Sequence, residues 1–135
     1  MTMKMFVNLP VKDLKKTITF YEALGFAFNP QFTDDAAACM VVSEHNYAML
    51  LTHEKFSQFS SKPIPDAHKT TGVLVALALA SREAVDKMID KAVKAGGKEP
   101  RPKQDYGFMV QRTFEDPDGH TWEPFWMDPS HVQNG

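Results

Sequence analysis

The chain has 135 residues, and 43% of them are hydrophobic, which is enough apolar material for the core of one domain. The 15 Lys and Arg residues and 17 Asp and Glu residues give a formal net charge of -2, with both signs mixed along the chain. A sequence-independent nucleic-acid binder needs a basic face, so we expect no nucleic-acid partner. No apolar run approaches the roughly 18 residues of a membrane span. Because the first residues carry no signal-peptide core and the single cysteine, Cys39, requires no oxidising compartment, we expect a cytoplasmic domain without a membrane partner.

The predicted elements begin with a strand and an amphipathic helix. Met5–Val11 is a short apolar run, and Asp13 stands in the N-cap position of a segment with apolar residues at helical spacing. Gly25 provides the left-handed residue that often ends a helix. Further strands are predicted over 26–32, where Asn29-Pro30 interrupts the pattern, and over 36–43 and 47–52, which flank a polar turn and form a hairpin.

The same order of elements recurs in the second half of the chain. Val73–Ala80 is apolar, Ser81 takes the N-cap position, and Gly96-Gly97 ends the amphipathic stripe that follows. Strands are predicted over 98–102, 106–114 and 120–127, the last two joined by a tight turn at Asp116–Gly119. The chain therefore reads as one domain, residues 1–135, made of a duplicated unit. Module one covers about 3–55, a linker 56–71, and module two about 72–128.

Standard catalytic motifs are absent from the sequence, including glycine-rich phosphate loops, the G-x-S-x-G elbow and the H-E-x-x-H metal pair. Cys39 lies in a predicted strand between Ala38 and Met40, which favours a small buried residue over a reactive thiol. The five histidines have no tight ligand spacing, so we interpret them as surface residues rather than metal ligands.

Three segments together carry a family resemblance: Asn8–Asp13 (N-L-P-V-K-D), Phe20–Phe26 (F-Y-E-A-L-G-F) and Phe114–Glu123 (F-E-D-P-D-G-H-T-W-E). They resemble the vicinal oxygen chelate superfamily of glyoxalases, bleomycin-resistance proteins and extradiol dioxygenases, over about Met3 to Met127. With Pro100–Phe108, the first segment is similar to the bacterial branch described as predicted lactoylglutathione lyase.

This resemblance implies an α+β fold in which two paired βαβββ modules form an open, cup-shaped mixed β-barrel with helices on the outside. In the family the cup encloses a divalent metal. The corresponding ligand positions here are Phe6, Leu51, Leu74 and Glu123, of which only Glu123 has a ligand side chain. Because a divalent metal needs three or four protein ligands and Phe6, Leu51 and Leu74 are apolar, we predict no cofactor; the alternative is a divalent metal with Glu123 as its remaining ligand.

Residues that share a strand face with these positions complete the predicted site. Period-two alternation places Asn8 with Phe6, Met49 with Leu51 and Phe125 with Glu123. Tyr106 and Phe108 flank Gly107 and could gate the cup, or could equally be core aromatics at a strand start. The predicted substrate-binding residues are therefore Phe6, Asn8, Met49, Leu51, Leu74, Tyr106, Phe108 and Phe125. The alternative for the whole set is that these side chains simply fill a barrel.

Glu123 is the predicted catalytic residue. Trp122, Phe125 and Trp126 indicate that both faces of its strand meet apolar surroundings. A carboxylate pointing inward without a metal is expected to have a raised pKa, which would suit a general base or a hydrogen-bond acceptor. The alternative is that Glu123 faces solvent.

Three functions remain open from the sequence. The first is a glyoxalase-like lyase or isomerase, or a dioxygenase-type enzyme, that acts on a small oxygenated substrate with Glu123. The second is a metal-free protein that binds or sequesters a small, drug-type molecule. The third is a module that binds another protein. A homodimer is predicted in addition, because small open barrels leave strand edges that association can cover.

Overall fold

The computed structural model describes residues 2–131, and the chain divides after Asp66 into two compact units. None of the helices in this described part has the length and apolar composition needed to cross a bilayer. Each unit has its own mixed sheet with a helix packed on it. The predicted α+β fold of two βαβββ modules is confirmed.

The first unit contains β1 (Met5–Val11), α1 (Leu14–Ala23), β2 (Ala27–Asn29), β3 (Ala37–Val41), β4 (Asn46–Thr52) and α2 (His53–Phe59), with a 3-10 turn at Pro30–Phe32. Its sheet has the strand order β1-β4-β3-β2, in which β1 runs parallel to β4 and the other pairs are antiparallel. Asn29, the last residue of β2, caps the 3-10 turn, and Pro30 is the first residue of that turn.

Local sequence signals set the bounds of α1. The Asp13 carboxylate accepts a hydrogen bond from the Lys16 N–H at 3.2 Å, and Gly25 has a φ of +100° just beyond the helix. The helix packs on β3 and β4, whose side chains on this face are at most 1% exposed: Ala38, Met40, Ala48 and Leu50. Burying a large apolar side chain fully is worth about 1.5–3 kcal/mol, so this face is the core of the first unit.

The second unit contains β5 (Leu74–Ala78), α3 (Arg82–Lys94), β6 (Gln104–Asp105), β7 (Met109–Gln111), β8 (Phe114–Glu115) and β9 (Thr121–Met127). Its sheet has the order β5-β9-β7-β6, with β8 also paired to β9 and β5 parallel to β9. The Ser81 hydroxyl accepts a hydrogen bond from the Ala84 N–H at 3.0 Å and starts α3 as predicted. The helix buries Val85 and Ile89 against the sheet face that carries Trp122 and Phe114.

An arginine connects the sheet of the second unit to α3. Arg112 follows β7, and its guanidinium donates to both carboxylate oxygens of Glu99 at 2.8 Å and to Asp86 on α3 at 2.9 Å. Lys103 approaches the same Asp86 oxygen at 3.3 Å. The Arg112 hydrogen bond is the main reason that the pKa of Asp86 lies below its ordinary value. We refer to Arg112, Asp86 and Glu99 as the arginine clamp.

The Asp116–Gly119 turn is present as predicted and packs closely against the start of the second unit. The Asp116 carboxylate accepts hydrogen bonds from the Asp118 and His120 N–H groups, both at 2.9 Å. Gly119 has a φ of +88°, and a Cβ built there would lie 2.8 Å from backbone atoms of Ala67 and His68. Both the backbone angle and this close approach therefore require glycine.

Two local predictions need correction, and one helix was missed. The predicted strand 106–114 starts instead with a turn at 106–108, because Gly107 has a φ of +82° and its N–H donates to the Asp105 carboxylate at 2.9 Å. The predicted strand 98–102 is reduced to one bridge between Lys98 and Glu115, since its two prolines have no N–H to donate. Helix α2 was not predicted. It is capped by the Thr52 hydroxyl and extends into the start of the predicted linker.

Candidate functional site

The candidate site is the face of the second-unit sheet that carries Glu123. Along β9, Trp122 and Pro124 are buried on the side of α3, so Glu123 and Phe125 point to the opposite face. In the parallel pairing with β5, Ala76 lies beside Glu123 and Leu74 beside Thr121. The structure thus brings three predicted site residues together on one face: Leu74, Glu123 and Phe125.

Strand register identifies a neighbour of Glu123 that the sequence analysis missed. The pairs Gln111–Phe125 and Phe114–Trp122 are separated by two residues on each strand, so Thr113 lies opposite Glu123. The Arg112 N–H donates to the Pro124 carbonyl at 3.1 Å, but Pro124 has no N–H to return, which explains why β7 and β8 are separate strands. The Thr113–Glu123 pair is then a non-hydrogen-bonded pair, the type in which side chains lie closest. Counting back from the tight turn at 116–119 gives the same pairing and was the signal available in the sequence.

The Glu123 carboxylate is half-buried and has no hydrogen-bond or salt-bridge partner among residues 2–131. Ala76 on one side is too small to cover it, and Thr113 on the other side is 5% exposed and offers a hydroxyl. The Glu123 oxygens are therefore not used by any hydrogen bond within this part of the chain. They are available to a bound molecule.

The predicted site residues of the first unit lie together on one face of that unit's sheet. Register pairs Asn8 with Met49, and period-two alternation places Phe6 and Leu51 on the same side of the sheet. Phe6 is 50% exposed and stacks on Tyr47, with ring centroids 4.7 Å apart, whereas Leu51 is 3% exposed. The strand residues on this side carry no charge: Phe6, Asn8, Pro10, Ala27, Asn29, Ala37, Cys39, Val41, Tyr47, Met49 and Leu51.

Tyr106 and Phe108 belong to neither sheet face, because the structure places both on the turn between β6 and β7. Arg82, in the first turn of α3, donates to the Gly107 carbonyl at 3.2 Å and to the Asp105 carboxylate. The Gly107 N–H and then Arg82 hold the pKa of Asp105 below its ordinary value. Phe108 stacks on His131 at 4.0 Å. The turn is therefore anchored on both sides of Gly107.

Cys39 is expected to be unreactive in the folded protein, because it is 1% exposed and burial raises the pKa of its thiol. The thiolate is the reactive form, so both effects lower its rate of modification. At neutral pH, an aromatic disulfide that releases a coloured thiolate should detect no thiol in the folded protein. After urea is added, it should detect one thiol per chain. Stoichiometric labelling of the folded protein at the rate of a free thiol would contradict this, as well as the predicted buried role.

The two mixed sheets, each with a helix on one face, define an α+β protein of the glyoxalase class. The sequence model of the Glyoxalase/Bleomycin resistance protein/Dioxygenase superfamily matches residues 5–123, and the chain belongs to this superfamily. No curated protein matches the chain.

Solved structures share this fold. The chain is 27% identical to hypothetical protein SA1046 from S. aureus, with a TM-score of 0.78 and coverage of 93% of this chain and 95% of that one. A glyoxalase-related enzyme from Fulvimarina pelagi has a TM-score of 0.77 at 20% identity, with 93% and 88% covered. A glyoxalase/bleomycin resistance protein/dioxygenase family enzyme from Burkholderia phytofirmans PsJN has a TM-score of 0.74 at 19% identity, with 90% and 96% covered. At these last two identities the likeness concerns the fold.

The side chains present do not fit the divalent metal that the family resemblance implies. Phe6, Leu51 and Leu74 have no lone pairs to donate, which leaves the single carboxylate of Glu123. Within residues 2–131, no three His, Cys, Asp or Glu side chains are grouped so that they could hold a metal ion. A divalent metal therefore lacks a sufficient set of ligands among these residues.

Proposed function

We propose that this protein binds a small molecule with an apolar body on the Glu123 face, without a metal ion. The observation that carries the proposal is a half-buried carboxylate without a protein partner in the described chain, next to Ala76 and the apolar side chains of Leu74 and Phe125. Small-molecule sites are mostly apolar with a few polar groups that fix orientation, and this face has that composition.

Apolar surface on this face supports the proposal energetically. Leu74 is 54% exposed, and Ala76 and Ala78 on the same side of β5 are exposed as well. Covering apolar surface contributes about 25 cal/mol per Å² before the cost of association is subtracted. The binding roles of Phe6, Asn8, Met49 and Leu51 in the first unit, and of Tyr106 and Phe108 on the turn, stay predictions.

Filling the space beside Glu123 is expected to weaken binding. We predict that 1-naphthalenemethanol, followed by isothermal titration calorimetry, binds the wild-type protein equally well with and without EDTA. Ala76→Leu should lower the affinity for 1-naphthalenemethanol roughly tenfold, because the larger side chain then occupies space beside Glu123 that the ligand needs. A single misfit in a hydrophobic contact typically costs about 1–3 kcal/mol.

The matched control is Ala23→Leu, at the exposed end of α1. It adds the same side chain outside the second-unit sheet and should leave the affinity unchanged. Unchanged affinity in Ala76→Leu, or binding that EDTA abolishes, would contradict the proposal.

A second candidate function is catalysis of the lactoylglutathione-lyase type, with Glu123 as general base. It is favoured by the free carboxylate lying opposite the Thr113 hydroxyl, which could hold a substrate oxygen. General-base catalysis is worth about 10²–10⁴-fold in rate, so Glu123→Gln should reduce turnover of a true substrate by that factor while its affinity changes little. A thermal melt of the variant separates this loss from unfolding. Full turnover in Glu123→Gln would end the case for this base, and no turnover in the wild type leaves binding as the function.

A further inference from the structure

We infer that the group recognised on the Glu123 face is an organic cation, an ammonium or amidinium attached to an apolar body, with Glu123 as its counter-ion. This rests on the proposed function above and specifies its ligand class.

The strands that form the Glu123 face contribute two acidic side chains and no basic one. Register and alternation place these residues on it: Leu74, Ala76, Ala78, Gln104, Met109, Gln111, Thr113, Glu115, Thr121, Glu123, Phe125 and Met127. Glu115 and Glu123 are the only ionisable side chains in this set, and both are acidic. Lys98 pairs with Glu115 through a β-bridge, whereas Glu123 lies between Ala76 and Thr113 and has no basic residue opposite it. A cation is attracted to such a face and an anion is repelled.

Two arginines of the second unit, Arg112 and Arg82, bind carboxylates other than Glu123. Arg112 belongs to the opposite side of the sheet, where its guanidinium contacts Glu99 and Asp86. Arg82 is bound to Asp105 and the Gly107 carbonyl and lies 5.7 Å from the centre of the Trp126 ring. Neither arginine neutralises Glu123, so the counter-charge is left for a ligand to supply.

The groups around Glu123 match the donors of an ammonium. The carboxylate, the Thr113 hydroxyl and the Gln111 amide oxygen are all acceptors, and neither of the last two side chains has a protein hydrogen-bond partner in the part of the chain that the structure describes. An ammonium has three N–H donors and no acceptor, so one cation can use all three groups. A divalent metal would need three or four protein ligands, whereas the strand residues of this face include only two carboxylates, those of Glu115 and Glu123.

Three probes with one aromatic body and different charges test the inference: 1-naphthylmethylamine, 1-naphthalenemethanol and 1-naphthoate. The amine should bind roughly tenfold to a hundredfold more tightly than the alcohol, because a hydrogen bond to a charged group contributes about 1.5–3 kcal/mol. The naphthoate should bind most weakly. In Glu123→Gln, the amine should lose this advantage while the affinity for the alcohol stays within about a factor of two of the wild-type value, since the neutral probe loses no ion pair.

Two further variants keep the test decisive. Glu83→Gln removes an exposed carboxylate from the first turn of α3, away from the face, and should change none of the three affinities. Ala76→Lys places a cation in the position paired with Glu123, and should abolish the preference for the amine even where Glu123→Gln is unstable.

Each outcome bears on one of the two proposals. Equal binding of amine and alcohol, with no effect of Glu123→Gln, overturns the inference and leaves the proposed function standing. Tightest binding of the naphthoate also overturns it. Binding of none of the three probes contradicts the proposed function itself. Loss of the amine's advantage in both Glu123→Gln and Ala76→Lys, but not in Glu83→Gln, supports the counter-ion role.

Discussion

Gly119→Ala is expected to lower the free energy of unfolding by roughly 3 kcal/mol or more, from backbone strain and from overpacking. The φ of +88° at Gly119 costs a residue with a Cβ about 1–2 kcal/mol. The added methyl would also lie 2.8 Å from the Ala67 carbonyl carbon and the His68 amide nitrogen. These are backbone atoms that cannot rotate away, so either the turn or the segment at 67–68 must move, at a cost of about 1–3 kcal/mol.

The matched control is Gly96→Ala, just after α3. Gly96 has a φ of +107°, but a Cβ there would meet no atom within 4 Å. This variant should lose only the backbone cost of about 1–2 kcal/mol. Urea unfolding followed by tryptophan fluorescence measures both. Equal losses in the two variants would show that the close approach to Ala67 and His68 contributes nothing.

Arg112→Leu is expected to produce the second large effect, a destabilisation of about 1–3 kcal/mol. The substitution keeps apolar volume but leaves Glu99 and Asp86 without the guanidinium that binds both. Removing one partner of a fully buried ion pair costs about 3–5 kcal/mol, whereas exposed pairs contribute about 0–1 kcal/mol. Arg112 is 16% exposed and Asp86 39%, which places the clamp between these limits.

The same variant should change the dependence of stability on pH. The pKa of Asp86 in the folded protein is lowered, chiefly by the Arg112 hydrogen bond, so the stability it contributes is present above its unfolded pKa of about 3.9. That contribution is lost as the pH falls through the lower folded pKa. Thermal melts from neutral pH down to acid should show a smaller loss of stability in this range for Arg112→Leu than for the wild type. The control is Arg101→Leu, which replaces an exposed arginine and should lose as much stability at acid pH as the wild type. If Arg112→Leu also loses as much stability as the wild type, the role of the arginine clamp is refuted.

Local sequence patterns predicted the positions of some residues of the candidate site but not of others. Alternation along β9 correctly placed Glu123 and Phe125 on one face, because neighbouring side chains of any strand point to opposite sides. It could not place Tyr106 and Phe108, since the sequence suggested a continuous strand where Gly107 and the Asp105 carboxylate form a turn. Local hydrogen bonds of this kind compete with strand pairing wherever a short polar side chain precedes a glycine.

Features that depend on residues close in sequence were determined by the sequence alone: the bounds of β1, the caps of α1 and α3 at Asp13 and Ser81, the Asp116–Gly119 turn and the duplicated βαβββ order. The tertiary structure decided which distant residues meet. It placed Thr113 and Ala76 on either side of Glu123 and directed Arg112 to the opposite side of the sheet. Pairing between strands and packing against a helix join residues far apart in the chain, and their energies depend on register and contact, which no local pattern contains.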